Sequence, residues 1–378
     1  MQFTRAPVAA TVGPLGPDTL ERLSHLDTHG RPVLSVYLDL DPERFPTPDA
    51  RDTQLGSLFD EGRREGAARE VDRVRAWLDA DGAIRRGARG LAVFCCAKAG
   101  FLEAVRLTTP VEPLAVVDTV PWLEPLAAMI SPGDWGVAVV SRRAARLLRG
   151  SAAGLAEFAS IDHELHRRHA QGGWSQARFQ RGVEEQAAAH VRAVAERLLR
   201  AHLHRRFGRL VIVCSAELRP VVERSLHGEL KEVLVGTVDA DLERAPAEEI
   251  GRAVAPLIGQ AERDRERDLV ARLEQALGTG GAAAAGLDDV VAALEQQRVE
   301  NLLVAEGPSL KTGLCPTCGR LSTDGGRSCP LDGATLVEVD ATEHAIERAA
   351  RQSAQVVVVR YERDWLHEHG DIAALLRW

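Results

Sequence analysis

Short apolar runs with period-two alternation are interleaved along this chain with longer stretches of period three to four, the pattern of layered α/β structure. Residues 32–40 (PVLSVYLDL) predict a strand, and a turn-rich stretch (DPERFPTPDARD) separates it from an amphipathic helix over 53–80. Residues 90–96 and 102–108 predict two strands of a hairpin around Ala97-Lys98-Ala99-Gly100. Strands are then expected at 134–140 and 145–149, followed by a polar, histidine-rich stretch and a long helix over 177–206. Beyond it the pattern gives a strand at 210–214, a helix at 217–227, a strand at 233–238 and a charged helix from Pro246 to 277. The glycine-rich 278–286 (GTGGAAAAG) suits a linker or hinge. A helix at 287–297, a strand at 301–305, a helix at 343–350, a strand at 355–360 and an apolar tail at 372–378 complete the reading.

With 378 residues, two or three domains are expected. The pattern divides them as an α/β domain over 1–130, a middle domain over 131–278 and a C-terminal domain over 279–378 with a cysteine-rich insertion at 315–333. Hydrophobic residues make up 45% of the chain but aromatics only 4%, so the cores must be built from Ala, Val and Leu. The net charge of -8 argues against a protein that coats nucleic acid all over, yet leaves room for a local basic patch. No run has the length of a membrane span or a signal-peptide core, and a cytoplasmic setting is expected. Cys95, Cys96 and Cys214 sit in strand-like runs, where cysteine acts as a small hydrophobe.

The densest chemistry lies in His163–Arg181. Gly172 and Gly173 allow a close backbone approach to a ligand, and Ser175 is a reasonable cap for the helix that follows. A helix N-terminus favours anions, and Arg167, Arg168, Arg178 and Arg181 flank this one. Trp174 offers a face for stacking on a base. Gln176 is neutral and cannot act as a general base, but it can orient a water or a ribose hydroxyl while backbone N–H groups stabilise an oxyanion. Glycine pairs before capped helices are common, and residue types alone favour plain solvated surface.

The Gly172-Gly173-Trp174-Ser175-Gln176 loop before a long Arg/Glu helix resembles the middle domain of archaeal and eukaryotic class-1 release factors. The chain looks like a bacterial homologue of that family. Its Gly173-x-x-Gln176 spacing is closest to the Gly-x-x-Gln peptidyl-tRNA hydrolases of ribosome quality control. The segments GLDDVVAALE (286–295) and VENLLV (299–304), with the closing HGDIAALLR (369–377), resemble that family's third domain, Asp371 standing where the family has glycine. The resemblance implies a central ribonuclease-H-like α/β domain and a C-terminal α/β domain like kink-turn-binding ribosomal proteins. It also implies that Gln176, with Gly172 and Gly173, is presented to the ester bond or the CCA end of a tRNA held by Trp174, Ser175 and the four arginines. The Asn-Ile-Lys-Ser and Tyr-Cys motifs of stop-codon readers are missing from the first segment, so rescue or quality control is expected rather than decoding.

Cys315-Pro-Thr-Cys318-Gly and Cys329-Pro-Leu-Asp332-Gly are two copies of one knuckle pattern. Three thiolates and the Asp332 carboxylate suit four-coordinate structural zinc, with His344 as an alternative fourth ligand and a knuckle without metal as the rival reading. No organic cofactor is expected. Asp39 after the first strand reads as loop solvation; His163, His166 and His169 read as RNA contact or surface; 262–272 reads as a solvated helix laced with weak ion pairs. The expected partners are the ribosome or its large subunit and tRNA, with room for a delivering GTPase and none for membrane or DNA. The rival function is a non-catalytic rescue or hibernation factor bound in the ribosomal A site, and a free-tRNA-binding module comes third.

Overall fold

A computed structural model describes residues 10–378 apart from 17, 29, 81–87, 108, 131–134, 152–153, 163–175, 205, 308–309 and 324, with backbone alone at 14, 151 and 176–183. The first elements are β1 (Thr11–Pro14), α1 (Thr19–Ser24), β2 (Val33–Asp39), α2 (Pro48–Arg64), α3 (Ala68–Ala80), β3 (Gly90–Cys96), β4 (Phe101–Leu107), β5 (Leu114–Asp118) and α4 (Glu124–Met129). Their sheet runs β1-β4-β3-β2-β5, antiparallel except for the β1–β4 pair. The β2 run is buried throughout because both of its faces are covered. Leu34, Val36 and Leu38 pack with Leu58, Phe59, Val71 and Val74 of α2 and α3, while Tyr37 turns into a second core on the opposite face. The stretch expected as one helix over 53–80 is two helices, interrupted where Gly66 takes a left-handed φ of 92°.

The next elements are β6 (Trp135–Val140), β7 (Ala144–Ser151), β8 (Gly154–Asp162), α5 (Gln176–His204), β9 (Arg209–Val213), α6 (Arg219–Ser225), α7 (Gly228–Glu232), β10 (Leu234–Val238) and α8 (Ala247–Gly278). Strands β6, β7 and β8 form an antiparallel meander, and β9 and β10 join β6 in parallel to give the order β10-β9-β6-β7-β8. On α5, Val191, Val194, Ala195 and Leu198 recur at helical spacing and bury one stripe against Leu147, Leu210 and Ile212. The other face of the sheet is covered by Ile250, Val254 and Ile258 of α8. Strand β8 lies at the start of the stretch expected to be polar and histidine-rich, where no strand was expected. It is an edge strand with one face exposed, so its hydrophobic signal is weak.

The remaining elements are β11 (Ala283–Ala285), α9 (Leu287–Glu295), β12 (Val299–Ala305), β13 (Lys311–Leu314), β14 (Leu321–Ser322), β15 (Val337–Asp340), α10 (Ala341–Arg351), β16 (Gln355–Val359), α11 (Arg363–Glu368) and β17 (Ile372–Leu376). One sheet runs β11-β17-β12-β16 and a small one β14-β13-β15. The glycine-rich stretch expected to be a linker is not a free one, since Ala283–Ala285 pairs with β17. The apolar tail is tied down as β17, between β11 and β12.

The chain divides into two compact units, Met1–Ile130 with Glu266–Trp378, and Ser131–Arg265. The first unit has a core shared by segments distant in sequence. Leu23, Tyr37, Phe94 and Leu123 meet Val290, Leu302, Ile346 and Ile372 in one cluster. The fold is therefore mixed α/β with several sheets, as expected. Among the described residues no helix is long and apolar enough to cross a membrane.

Candidate functional site

Helix α5 begins at Gln176, which places that backbone in the first turn of a 29-residue helix, where N–H groups lack intrahelical partners. Arg178 and Arg181 follow within the first two turns. Their side chains and that of Gln176 lie outside the described residues, as do Arg167, Arg168, Gly172, Gly173, Trp174 and Ser175, and also His163, His166 and His169.

The cysteine cluster is described in full. Strand β13 delivers Cys315 and the following turn carries Cys318, while a second turn carries Cys329 and Asp332. The two turns repeat one hydrogen-bond scheme. The N–H of Gly319 donates to Cys315 O and that of Gly333 to Cys329 O, both at 2.9 Å, and both glycines are left-handed (φ 74° and 75°). Cys315 N donates to Arg320 O and Cys329 N to Ala334 O, at 2.9 and 2.8 Å. The three sulfurs and a carboxylate oxygen of Asp332 all lie within 4.8 Å of one another.

Zinc–ligand distances of about 2.3 Å to sulfur and 2.1 Å to oxygen put the edges of a tetrahedron at about 3.8 Å for S···S and 3.6 Å for S···O. The cluster has Cys318 Sγ 3.6 Å from Cys329 Sγ and Cys315 Sγ 3.3 Å from Asp332 Oδ2, so two of its six edges stand close to those lengths. Backbone N–H groups of Cys318 and Leu331 point at the sulfurs of Cys315 and Cys329, at 3.4 and 3.5 Å. The Cys318 N–H is the main cause that holds the Cys315 thiol below its ordinary range. Likewise, the Ala334 N–H holds the Asp332 carboxyl down. Cys318 goes the other way: the Arg320 N–H lowers it, but hydrogen bonds with Cys315 and Cys329 and burial outweigh that and push it up to about 11. A metal needs its ligands deprotonated. The residues present could hold a metal ion.

His344 does not stand with this cluster. It is buried on α10, with Nε2 3.5 Å from Asp118 Oδ1 and 3.3 Å from Thr119 Oγ1, and Asp332 is the fourth member of the cluster. The knuckles are fastened to the rest of their unit by Arg348, which donates to Gly319 O at 2.6 Å, and by Leu321, which packs with Val291 and Val339.

Cys95, Cys96 and Cys214 are buried free thiols as expected, and burial pushes Cys95 up to about 12. Asp39 is not solvated; it is fully buried, 2.8 Å from Arg44 Nη1, and its Oδ1 accepts from Asp41 N at 2.9 Å. Glu266, in the middle of the stretch expected to be solvated, is buried and accepts from the N–H groups of Arg360, Tyr361 and Glu362. The pattern also gives no sign of Glu343, whose carboxylate accepts from Leu123 N at 2.6 Å and Glu124 N at 2.9 Å. Its one sequence signal is the Asp340-x-x-Glu343 spacing of a capping box. Asp340 does accept from Glu343 N at 3.0 Å, but the glutamate reaches away to α4.

The family model of bacterial archaeo-eukaryotic release factor family 10 matches residues 121–257, a span that contains β6 to β10 and Gln176. The archaeal translation termination factor aRF1 is 21% identical, with 95% of each chain covered and a TM-score of 0.27. Saccharomyces cerevisiae Dom34, described as a translation termination-like factor, is 10% identical over 76% of this chain and 79% of its own, with a TM-score of 0.42. Archaeal Pelota from a ribosome-bound assembly with ABCE1 is 15% identical over 97% and 95%, with a TM-score of 0.41. No curated protein matches the chain. Residues 121–257 are thus similar to the bacterial archaeo-eukaryotic release factors of family 10.

Proposed function

We propose that this protein is a cytoplasmic, ribosome-associated peptidyl-tRNA hydrolase of rescue or quality control that does not decode stop codons. The observation that carries this reading is the position of Gln176 as the first residue of α5, inside the span that matches the release-factor family. There a neutral amide can orient the attacking oxygen while free N–H groups of the helix start face the developing oxyanion, an effect worth about 3–4 kcal/mol per donor. Gly172 and Gly173 give the close approach, and Trp174, Ser175, Arg167, Arg168, Arg178 and Arg181 hold the acceptor end of the tRNA. The work divides over three parts, 1–130, 131–278 and 279–378, and the partners are the large ribosomal subunit and tRNA, with a GTPase as the means of delivery.

The Cys315, Cys318, Cys329 and Asp332 cluster holds structural zinc in this reading, supported by four donors within 4.8 Å of one another and by two edges of tetrahedral length. The ion would close the two knuckles and take no part in hydrolysis.

The test is release of labelled peptide from stalled ribosomal complexes by wild type and by Gln176→Ala. We expect a loss of at least about 100-fold in the variant, the scale of removing one transition-state contact. Equal release by both would remove Gln176 from the mechanism. Ribosome binding without any turnover in either would make the protein a non-catalytic A-site factor, and sequencing the 3′ end of the product tRNA separates ester hydrolysis from cleavage in the CCA tail.

A further inference from the structure

A row of side chains crosses the sheet of the Ser131–Arg265 unit, near the opposite end of α5 from Gln176. Gly136 on β6 is paired with Arg149 on β7. A Cβ at Gly136 would lie 2.9 Å from the ring of Phe207, so the absence of a side chain lets that ring lie flat on the strand. Arg149 spreads its guanidinium 4.5 Å from the Phe207 centroid and 5.8 Å from that of Phe158, and its Nη2 donates to Ala201 O at 3.4 Å.

Phe158 is in this row because of a bulge. The β7–β8 register steps from Leu147↔Ala159 to Leu148↔Glu157, which leaves Phe158 unpaired. On an edge strand a bulge re-aims the extra side chain. Here it leaves a large aromatic 40% exposed beside a buried one.

The charge around the row is positive. Arg206 is exposed next to Phe207, and the His202 ring lies 5.6 Å from the Phe207 ring, tilted by 37°. His202 Nδ1 accepts from Phe207 N at 3.0 Å, which fixes the neutral tautomer. Burial, then the cations Arg206 and Arg149, hold its basicity down, with Glu229 as the opposing acid. Of the acids on β8, Glu157 is turned to Arg146.

We propose that Phe158 and Arg149 form a binding platform for one nucleotide of single-stranded RNA, with the base stacked on Phe158 and the neighbouring phosphate on Arg149 and Arg206. An exposed ring with a planar guanidinium beside it is the pairing that single-stranded nucleic acid sites use, since every base has a face to stack and every link has a charge. At 1.5 Å per residue the 26 steps from Gln176 to His202 put this contact about 40 Å from the proposed tRNA site. It is thus a second RNA contact, with ribosomal RNA or the body of a tRNA as the source.

The experiment measures binding of a fluorescent eight-nucleotide uridine strand, and of a duplex with the same number of phosphates, to the full chain. We expect the single strand to bind tighter, Phe158→Ser to weaken it about tenfold, Phe158→Trp to retain it and Arg149→Lys to weaken it less than the serine. Melting curves of the same variants check that each is folded. Equal affinity of Phe158→Ser and wild type, or of strand and duplex, would overturn the platform, as would a folded Phe158→Trp that binds no better than the serine. Competition by excess tRNA or by ribosomal subunits separates the two sources. Gln176→Ala is expected to lose peptide release and keep strand affinity, so failure of the platform and failure of the hydrolase reading are read on separate axes.

Discussion

Among the described residues of Ser131–Arg265, the buried polar side chains are two histidines, His190 and His202. The other unit buries Asp39, Asp41, Glu70, Glu266, Asp340, Glu343 and Glu347. The two differ in how the chain enters them. Ser131–Arg265 is one continuous stretch, and the core between its sheet and α5 is built from Val, Leu, Ile and Ala with Phe207 and Cys214, with no buried carboxylate among the described residues. The discontinuous unit must bring together segments more than 200 residues apart, and apolar packing specifies such a meeting only loosely. Its buried carboxylates supply the register. Glu343 clamps Leu123 and Glu124 at the start of α4, and Glu266 gathers the N–H groups of 360–362. A buried carboxylate contributes little net stability when paired, but its loss leaves donors stranded. The discontinuous unit is therefore the one expected to be sensitive to single polar changes and to pH.

The largest test of that contrast is metal removal. A strong zinc chelator, or Cys329→Ser, is expected to abolish hydrogen-exchange protection across 311–340, because binding energy of a structural zinc is folding energy, about 10 kcal/mol or more in small zinc domains. Protection in β6 and β9 should not change. Equal loss in both units would erase the contrast, and no change in 311–340 would remove the ion from the fold.

Next in size is Glu343→Ala. It strands two buried N–H groups, at a cost of about 2–4 kcal/mol, and should raise exchange at Leu123 and Glu124 before any other element of its unit. The wild-type residue also carries a pH signature. Burial, above all, pushes Glu343 well above the ordinary carboxylate range. An acid with a raised folded-state pKa gives stability that is complete below the unfolded value of about 4.3 and is lost as pH rises through the folded value. Glu343→Gln should flatten that slope in the discontinuous unit. A slope that persists unchanged would show that Glu343 is not its source.

Most strands and long helices were legible because their burial is one-dimensional. The apolar run of β2 and the period of α5 record which faces are covered, wherever the cover comes from. What covers them was not legible. The core that joins Tyr37 to Ile346 needs the chain to return after the intervening segment, and no local pattern encodes that. The knuckles were readable because the cluster repeats its residues at one short spacing, down to Asp332 in a cysteine's place. Glu343 and Glu266 were not, because a surface glutamate and a buried clamp look alike on a helix. Asp371 is intermediate. Its place in a glycine position was read, but its backbone was not: it adopts a φ of 63°, with its carboxylate 3.2 Å from His367.

The smallest expected effect separates acid from base behaviour within the same unit. Burial by itself would raise the Asp118 carboxyl. The hydrogen bond and charge of His344, with the N–H and hydroxyl of Thr119, outweigh it and hold the group below its ordinary value. For such a group the sign is opposite to that of Glu343. Its stabilisation is complete above the unfolded pKa of about 3.9 and is lost as pH falls through the lowered folded value. Asp118→Asn should therefore cost about 1 kcal/mol at neutral pH, the scale of one ionic hydrogen bond, and nothing at strongly acidic pH, where the wild-type carboxyl is itself neutral. The readout is the difference in denaturant midpoint between variant and wild type, followed from pH 7 down to pH 2, with β6 and β9 as internal controls. A constant difference over that range would mean that Asp118 acts by shape alone. A difference that closes on the acid side would place His344 and Asp118, far apart in sequence, among the ties that hold the discontinuous unit in register.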